Sequence, residues 1–346
     1  MRIAVVHNQP VRSAEYRAAE WGVVAQAGTV VSALVAAGHT PLPYAATEAS
    51  ALCDFLSRNR PELIFNCCES LAGRATFEMN VAAIFELLGV PFTGSSALGL
   101  GLALDKGLSK AVFAAQGVPT PPYRRFEPGA AAVLSGLSLP VIVKPVAQDA
   151  SIGIDDGAVV HNATALEARV RFVWRAFDQA ALVEEFIEGR EFNVSLLATS
   201  PSEFRVLPIA EVAFDELPQG RPRIVGYEAK WSEGSAAYRG TNVQCPALLD
   251  ADTAARVRQL ATAAARAVGV RDYGRVDLRL RERDQAVFVL EANPNPDLGP
   301  QAGFLRAAAA AGFGMHEAII EIVNRAIERS AHSAGARRLV ARGDLP

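Results

Sequence analysis

The sequence predicts an α/β protein, α+β overall, whose N-terminal part is a parallel sheet layered with helices. Three observations predict it. Short apolar runs alternate with longer segments of helical periodicity through the first third of the chain. Gly and Pro punctuate the changes of period, and charges, Pro or Gly interrupt each apolar stretch before membrane-spanning length. Parallel neighbours need a crossover between them, so strand–helix alternation is their signature.

Each element follows from its own residues. Residues 2–7 read as a strand, and residues 25–36 as a helix that Gly38 stops. A second strand falls near 40–44, and ELIFNCC at 62–68 is a third apolar run. Phe77, Val81, Ile84, Phe85 and Leu88 repeat at helical spacing over 76–88, where Gly89 and Pro91 end the pattern. Gly94, Ser95 and Ser96 punctuate the chain before a helix over 105–116, which Gly117 and three prolines close. LPVIVK at 139–144 is a strand, 165–177 a helix and 182–186 a returning strand. Strands are then expected at 192–199, 206–213, 274–280 and 286–292, with a long helix over 252–268. The final helix, about 316–329, places Ile319, Ile320, Val323 and Ile327 on one face, and a small, basic, fraying tail follows Ser330.

Composition narrows the function. A chain of 346 residues suggests two or three domains, and 50% hydrophobic against 21% charged residues excludes a mainly disordered protein. A net charge of −3 argues against nucleic acid as the main partner. Four cysteines, two of them the adjacent Cys67 and Cys68, read as small buried hydrophobes in a reducing compartment. With no signal-like segment ahead of the first strand, a cytoplasmic protein without a membrane partner is expected.

Two segments carry chemistry. Lys144 ends the VIVK strand, and VAQDASIG follows as a small-residue turn containing Ser151 and Gly153. A compact ammonium beside a turn of backbone N–H groups suits a phosphate, although from this segment alone a surface lysine before an ordinary turn is the better reading. Neither GxxxxGK[ST] nor GxGxxG is present, which leaves the standard P-loop and dinucleotide mechanisms unsupported. The second segment is GRVDLRL followed by VFVLEANPNP. Asp277, Glu291 and Asn293 supply hard oxygen atoms suited to magnesium, and the i,i+2 spacing of Glu291 with Asn293, and of Arg275 with Asp277, places each pair on one strand face. The alternative is a charged hairpin with an Asn-Pro turn.

In this order the motifs resemble the D-alanine–D-alanine ligase branch of the ATP-grasp superfamily. The resemblance runs through DKGLSK at 105–110, LPVIVKP at 139–145 with ASIG at 150–153, LVEEFIEGREFNVS at 182–195, YEAKW at 227–231, GRVD at 274–277 and EANPNP at 291–296. It implies a three-domain architecture: an N-terminal α/β domain over 1–94, a small central domain over 95–184, a catalytic domain over 185–330 and a flexible tail over 331–346. It implies ATP as co-substrate, with Mg2+ as the metal and Mn2+ able to replace it. Lys106, Lys144 and Lys230 become phosphate contacts, with Ser151 in the phosphate loop. Glu184 approaches the adenine amino group, with Glu185 the alternative one register on, and backbone atoms of Glu185, Phe186 and Ile187 form the hinge. Glu191 takes the ribose, and Asp277, Glu291 and Asn293 hold the metal. Arg275, Lys230, Ser151 and Glu15 become the catalytic set, Arg275 meeting the charge that gathers in transfer.

The resemblance thins where substrates are recognised. Glu15, Glu69 and Glu78 are the acidic candidates, Trp231 stands where the family has a tyrosine, and Ala302 stands where it has a serine. The expected activity is ATP-dependent amide formation between a small carboxylate and an amine, through an acyl-phosphate, with a product other than D-alanyl–D-alanine. Alternatives are a true D-alanine–D-alanine ligase with compensated contacts, an intramolecular ligase, an ATP-binding regulatory protein and, more remotely, a dehydrogenase. The family also implies a homodimer through the N-terminal domain.

Overall fold

Three sheets carry the chain, each drawn from its own stretch of sequence. The structure, a computed structural model, describes residues 1–10, 16–134, 136–200 and 203–342, with side chains through residue 332. The expected substrate residue Glu15 lies outside the described residues.

The first stretch contains β1 (Arg2–Asn8), α1 (Arg17–Ala36), β2 (Thr40–Ala46), α2 (Ala49–Asn59), β3 (Leu63–Asn66) and α3 (Glu78–Leu87). The strands pair in parallel in the order β2-β1-β3. The central strand β1 is apolar without alternation because both faces are covered: Ile3, Ala4, Val5 and Val6 are all buried. Helix α1 starts eight residues ahead of the expected position, since Arg17, Ala18, Ala19 and Glu20 are helix formers and the helix runs through Gly22. By length and apolarity α1 could cross a membrane, yet Ala27, Val30, Ala33 and Leu34 lie in the protein's own core.

The second stretch contains α4 (Ala97–Leu104), α5 (Lys106–Ala115), β4 (Tyr123–Phe126), β5 (Val141–Pro145), β6 (Val159–Val160), α6 (Ala163–Phe177) and β7 (Ala181–Glu185). Its antiparallel sheet has the order β4-β7-β5-β6. Helix α4 escapes the sequence reading because ALGLGLAL is glycine-rich; the Ser96 hydroxyl caps its first turn at the Gly99 N–H. Asp105 separates α4 from α5 and caps the latter through the N–H groups of Gly107 and Leu108. Strand β7 runs through Glu185, so the expected boundary at 184/185 falls inside a strand.

The third stretch contains β8 (Gly189–Ser200), β9 (Glu203–Val206), β10 (Ala210–Ala213), α7 (Tyr227–Trp231), α8 (Ala236–Arg239), β11 (Asn242–Gln244), α9 (Ala251–Ala267), β12 (Tyr273–Arg281), β13 (Val287–Asn293), α10 (Gly303–Ala310) and α11 (Met315–Arg342). The sheet is antiparallel in the order β11-β10-β8-β12-β13, with β9 also on β8. Pro208 lies in the gap that splits the strand expected over 206–213. Helix α11 continues past Ser330, where the sequence predicts a frayed tail. Its Ala318, Ile319, Ile322 and Val323 pack in one cluster with β1 and α1, so the last helix covers the first sheet.

A polar bolt fastens these parts. Asp272, ahead of β12, is 2% exposed and accepts from Arg329 of α11 at 2.9 and 2.8 Å and from the Gly94 N–H at 2.8 Å. Arg329 also donates to the Phe92 carbonyl at 2.7 Å. Removing a buried carboxylate strands its cationic partner, so Asp272→Ala should cost about 3 kcal/mol. Urea unfolding monitored by circular dichroism reads this directly; a loss within about 0.5 kcal/mol, as at ordinary surface sites, would show that the bolt carries no net stability.

Candidate active site

The registration of β12 builds the floor of the site. Arg275, Asp277 and Arg279 share one face of this strand by the two-residue period. On one side Ser195, Asn193 and Glu191 of β8 stand opposite them in that order; on the other, Asn293 and Glu291 of β13 stand opposite Arg275 and Asp277. The result is two polar rows across all three strands and a third, Glu191 with Arg279, that meets Phe288 on β13. A β-bulge follows Asp277, so that Leu278 pairs with Val289 and Leu290 is skipped. That shift lets Val287, Val289 and Ala292 enter the hydrophobic core while Glu291 and Asn293 face the rows.

The rows are joined by hydrogen bonds. Arg275 grips Asp277 with two donors, Nε to Oδ1 at 2.7 Å and Nη2 to Oδ2 at 2.8 Å. Asn193 Nδ2 donates to Asp277 Oδ1 at 2.8 Å, and Asn293 Nδ2 donates to Asp277 Oδ2 at 3.2 Å. Burial works against the Arg275 charge, but Asp277 outweighs it and raises its pKa. Arg279, 3% exposed, places Nε and Nη2 on Glu191 Oε2 at 3.0 and 2.7 Å and Nη1 on the Ile187 carbonyl at 2.8 Å. Glu191 therefore keeps Oε1 for another partner. Neither Asn193 nor Arg279 stood out in the sequence, although strand alternation marks both.

Lysines approach this floor from the second stretch. Lys106, at the start of α5, places Nζ 2.6 Å from the Gln148 carbonyl, 3.2 Å from Asp149 and 3.6 Å from Glu291. Burial opposes its charge, while Asp149 and Glu291 prevail and raise its pKa. One turn later on the same helix is Lys110, which the sequence reading passed over inside DKGLSK. Its Nζ lies 2.7 Å from Glu184 Oε2, close enough for an ion pair though not aligned as a hydrogen bond, and donates to Thr120 at 2.7 Å. Lys144 reaches the other oxygen of Glu184. Burial alone would raise the Glu184 carboxyl, yet the two ammoniums hold it below its ordinary value. Glu184 is thus the counter-ion of two lysines, a role that adds to its expected place beside an adenine amino group. The two lysine-bearing segments, α5 and β5, and Arg275 act together on Glu291, whose pKa falls to about 2: burial raises it, but Lys106, Lys144 and Arg275 prevail.

Other expected contacts are only partly available. The Glu185 N–H donates to the Pro122 carbonyl and the Phe186 N–H to the Pro140 carbonyl, each at 2.9 Å, while Glu185 Oε1 accepts from the Ser138 N–H. The hinge donors of Glu185 and Phe186 are therefore spent internally. Ser151 is also corrected: its hydroxyl donates to the Val225 carbonyl at 2.7 Å, which makes it a tie of the loop instead of a free donor. The Lys230 ammonium, by contrast, has no hydrogen bond or ion pair among the described residues and stands over the Trp231 ring, with Nζ 5.1 Å from its centroid. Burial and then Arg275 lower its pKa.

Hard oxygen atoms of Asp277, Glu291 and Asn293 adjoin in register, as a small divalent cation requires. Among the described residues no group of three acidic, Cys or His side chains is close enough to hold a metal alone. This donor set fits magnesium, which binds through one or two carboxylates together with phosphates and water.

Glu69 and Glu78, from the first stretch, meet the segment that follows β13. Glu78 accepts from Asn295 Nδ2 at 3.2 Å, and the same group donates to the Cys68 carbonyl. Glu69 is held to about 8, by burial first and by Asp297 next, with Lys230 pulling the other way. Its folded pKa lies above the usual 4.5, so the unfolded chain releases this proton first, and stability falls as pH rises between those values. Glu69→Gln should erase roughly 2 kcal/mol of that decline, a figure reduced for partial exposure. Denaturation of parent and variant at several pH values checks the sign; parallel curves would place Glu69 in a water-like setting.

Comparison with known proteins agrees with this geometry. The family model described as the D-ala D-ala ligase C-terminus matches residues 112–324. The chain is 35% identical to the uncharacterized protein y4sG of Sinorhizobium fredii, covering 95% of this chain and 98% of that one. It is 32% identical to the D-alanine--D-alanine ligase of Methylibium petroleiphilum over 75% of this chain and 78% of the relative, and 31% identical to that of a Janthinobacterium species over 90% and 92%. The crystal structure of D-alanine--D-alanine ligase from Bacillus anthracis complexed with ATP superposes with a TM-score of 0.75 at 20% identity, covering 96% of this chain and 99% of that chain. Its fold is shared across the whole length. The chain belongs to the D-alanine–D-alanine ligase-like family of ATP-grasp carboxylate–amine ligases.

Proposed function

We propose that the protein is an ATP-dependent ligase of the D-alanine–D-alanine type, joining the carboxylate of one small amino acid to the amine of another. The observation that carries this reading is the gathering of three cations from three separate elements: Lys106 lies 3.6 Å from Glu291, Lys144 pairs with Glu184, and Arg275 grips Asp277, the register partner of Glu291. Fixed cations around a hard-oxygen pair suit a polyphosphate and the charge that develops as it is transferred.

In this reading the substrate carboxylate attacks the γ-phosphorus of ATP, giving an acyl-phosphate and ADP. The amine then attacks the activated carbonyl and phosphate leaves. Lys230, with no ion pair among the described residues, meets the transferred phosphoryl group, and Arg275 faces the oxyanion of the second step. Asp277, Glu291 and Asn293 would hold the metal, which when bound neutralises phosphate oxygens. Glu191 Oε1 takes the ribose, and the hinge over Glu185–Ile187 contributes its remaining backbone groups. We also read the three sheets as three domains, with the second ending past Glu185 and α11 completing the first.

The comparisons favour the dipeptide ligase over the broader reading in which Trp231 and Ala302 exclude it. One of these departures has a local replacement. Ala302 precedes α10 with no side-chain cap, leaving first-turn N–H groups available, and a Cβ on Gly303 would lie 3.9 Å from Arg275 Cδ. Those donors can pair a substrate carboxylate without a serine hydroxyl. Trp231 keeps a donor of its own, spent on a backbone carbonyl at 2.9 Å.

With Mg2+, purified protein should consume one ATP and two D-alanines for each ADP, phosphate and D-alanyl–D-alanine it forms, the dipeptide being identified by mass spectrometry. A higher kcat/KM for another carboxylate–amine pair would replace the substrate assignment. ATP binding without turnover on any pair would favour the regulatory alternative.

Two variants probe the assigned roles. Lys230→Ala should lower kcat by about a hundredfold or more with the fold intact, as loss of one transition-state donor does elsewhere. Glu291→Gln should shift the Mg2+ concentration for half-maximal rate upward by about tenfold, within the range for altered metal environments. Parental kcat in the first, or parental Mg2+ dependence in the second, would remove that residue from the mechanism.

A further inference from the structure

The loop over residues 149–154 adopts an unusual backbone. Ala150 and Ser151 have φ of 56° and 61°, two consecutive side-chain-bearing residues in left-handed conformation. Such a turn is sterically disfavoured and persists only where its surroundings hold it. Arg169 holds it at the Gly153 carbonyl, and three further hydrogen bonds tie it to the segment over residues 225–231. The Ser151 hydroxyl donates to the Val225 carbonyl at 2.7 Å, and the Tyr227 N–H donates to the Ile154 carbonyl at 2.8 Å. The third runs from Trp231 Nε1 to the Ala150 carbonyl at 2.9 Å, on the first left-handed residue itself.

The indole is also seated from its other side. A Cβ on Gly22 of α1 would stand 3.1 Å from Trp231 Cη2 and 3.3 Å from Cζ3. Gly22 therefore leaves the shallow gap that the six-membered ring fills. One side chain thus touches the first sheet's helix, carries a hydrogen bond to the second stretch and belongs to the third.

We infer that Trp231 is a positioning residue that sets the phosphate loop in its left-handed turn, and that Gly22 in turn sets Trp231. Movement of α1 on the substrate side is thereby transmitted to the loop that cradles nucleotide. This rests on the nucleotide reading of the loop proposed above. Trp231→Phe keeps most of the ring but removes the donor. Gly22→Ala keeps the donor but crowds the ring, while helix propensity favours Ala over Gly.

Steady-state kinetics with ATP and D-alanine varied separately, isothermal titration with Mg2+-ATP and thermal melts test the inference. Trp231→Phe should raise KM for ATP about fivefold, the range expected for one neutral hydrogen bond, with KM for amino acid near parental. Gly22→Ala should raise KM for ATP about twofold without lowering the melting temperature. The double variant should lose less than the product of the two effects, because both act through the indole. A Trp231→Phe enzyme with parental KM for ATP, or one whose kcat and melting temperature fall together while KM holds, would overturn the positioning role. If that variant does not fold, a parental KM for ATP in Gly22→Ala overturns the coupling. Parent protein that binds no ATP would overturn the nucleotide reading and this inference together; the other failures touch this inference alone.

Discussion

Registration of β12 between β8 and β13 is the constraint on which the site depends. Side chains alternate along a strand, so a slip of one residue would turn Arg275, Asp277 and Arg279 into the hydrophobic core. The core resists this, because Val276, Leu278 and Leu280 on the opposite face are buried against α9. Packing on one side of the sheet thereby fixes chemistry on the other. The bulge after Asp277 adds the correction that straight strands could not supply, since Val289 and Glu291 would otherwise share a face. Hydrophobic burial and a single irregularity together aim five polar side chains at one place.

The cations beside that floor are held at a cost that explains their pairing. A buried ammonium is expensive to desolvate, and each of Lys106, Lys110 and Lys144 is nearly inaccessible. Lys106 shares Asp149 and Glu291, while Lys110 and Lys144 divide one carboxylate. The second arrangement leaves two positive charges on one negative, and burial pushes the Lys110 pKa down in response. Such an arrangement is poor as a stability device, since a hydrophobic replacement would cost less to bury. What it provides is electrostatic: two cations on one carboxylate leave a net positive potential in a nearly dry setting, with little rearrangement left to make.

Much of this was legible in the sequence. Alternation through GRVDLRL and EANPNP placed the right residues on shared faces, and ordered motifs identified the family. What escaped depended on partners distant in the chain. Glu184 and Ser151 were assigned outward roles, but their partners Lys110, Lys144 and Val225 are brought to them only by the fold. Arg279 escaped because strand position reveals a face but not which of its members is buried. Helix α4 escaped because two glycines lower its local propensity, while capping by Ser96 and packing of Leu100 and Leu104 favour it. The boundary within β7 escaped because strand pairing, not composition, decides where the second sheet ends.

The two substitutions that weakened the family resemblance teach a narrower point. A missing hydroxyl was read as a missing hydrogen bond, since side chains are what a sequence displays. Backbone groups are present at every residue, however, and their availability depends on conformation. At Ala302 an uncapped helix start leaves N–H groups without side-chain partners; at Ala150 a left-handed turn presents a carbonyl to the indole of Trp231. The first place leaves backbone donors open, while the second spends a backbone carbonyl on the indole. What the fold leaves open to a ligand is therefore set by conformation as well as by side chains, and a change of side chain matters most where the backbone cannot answer.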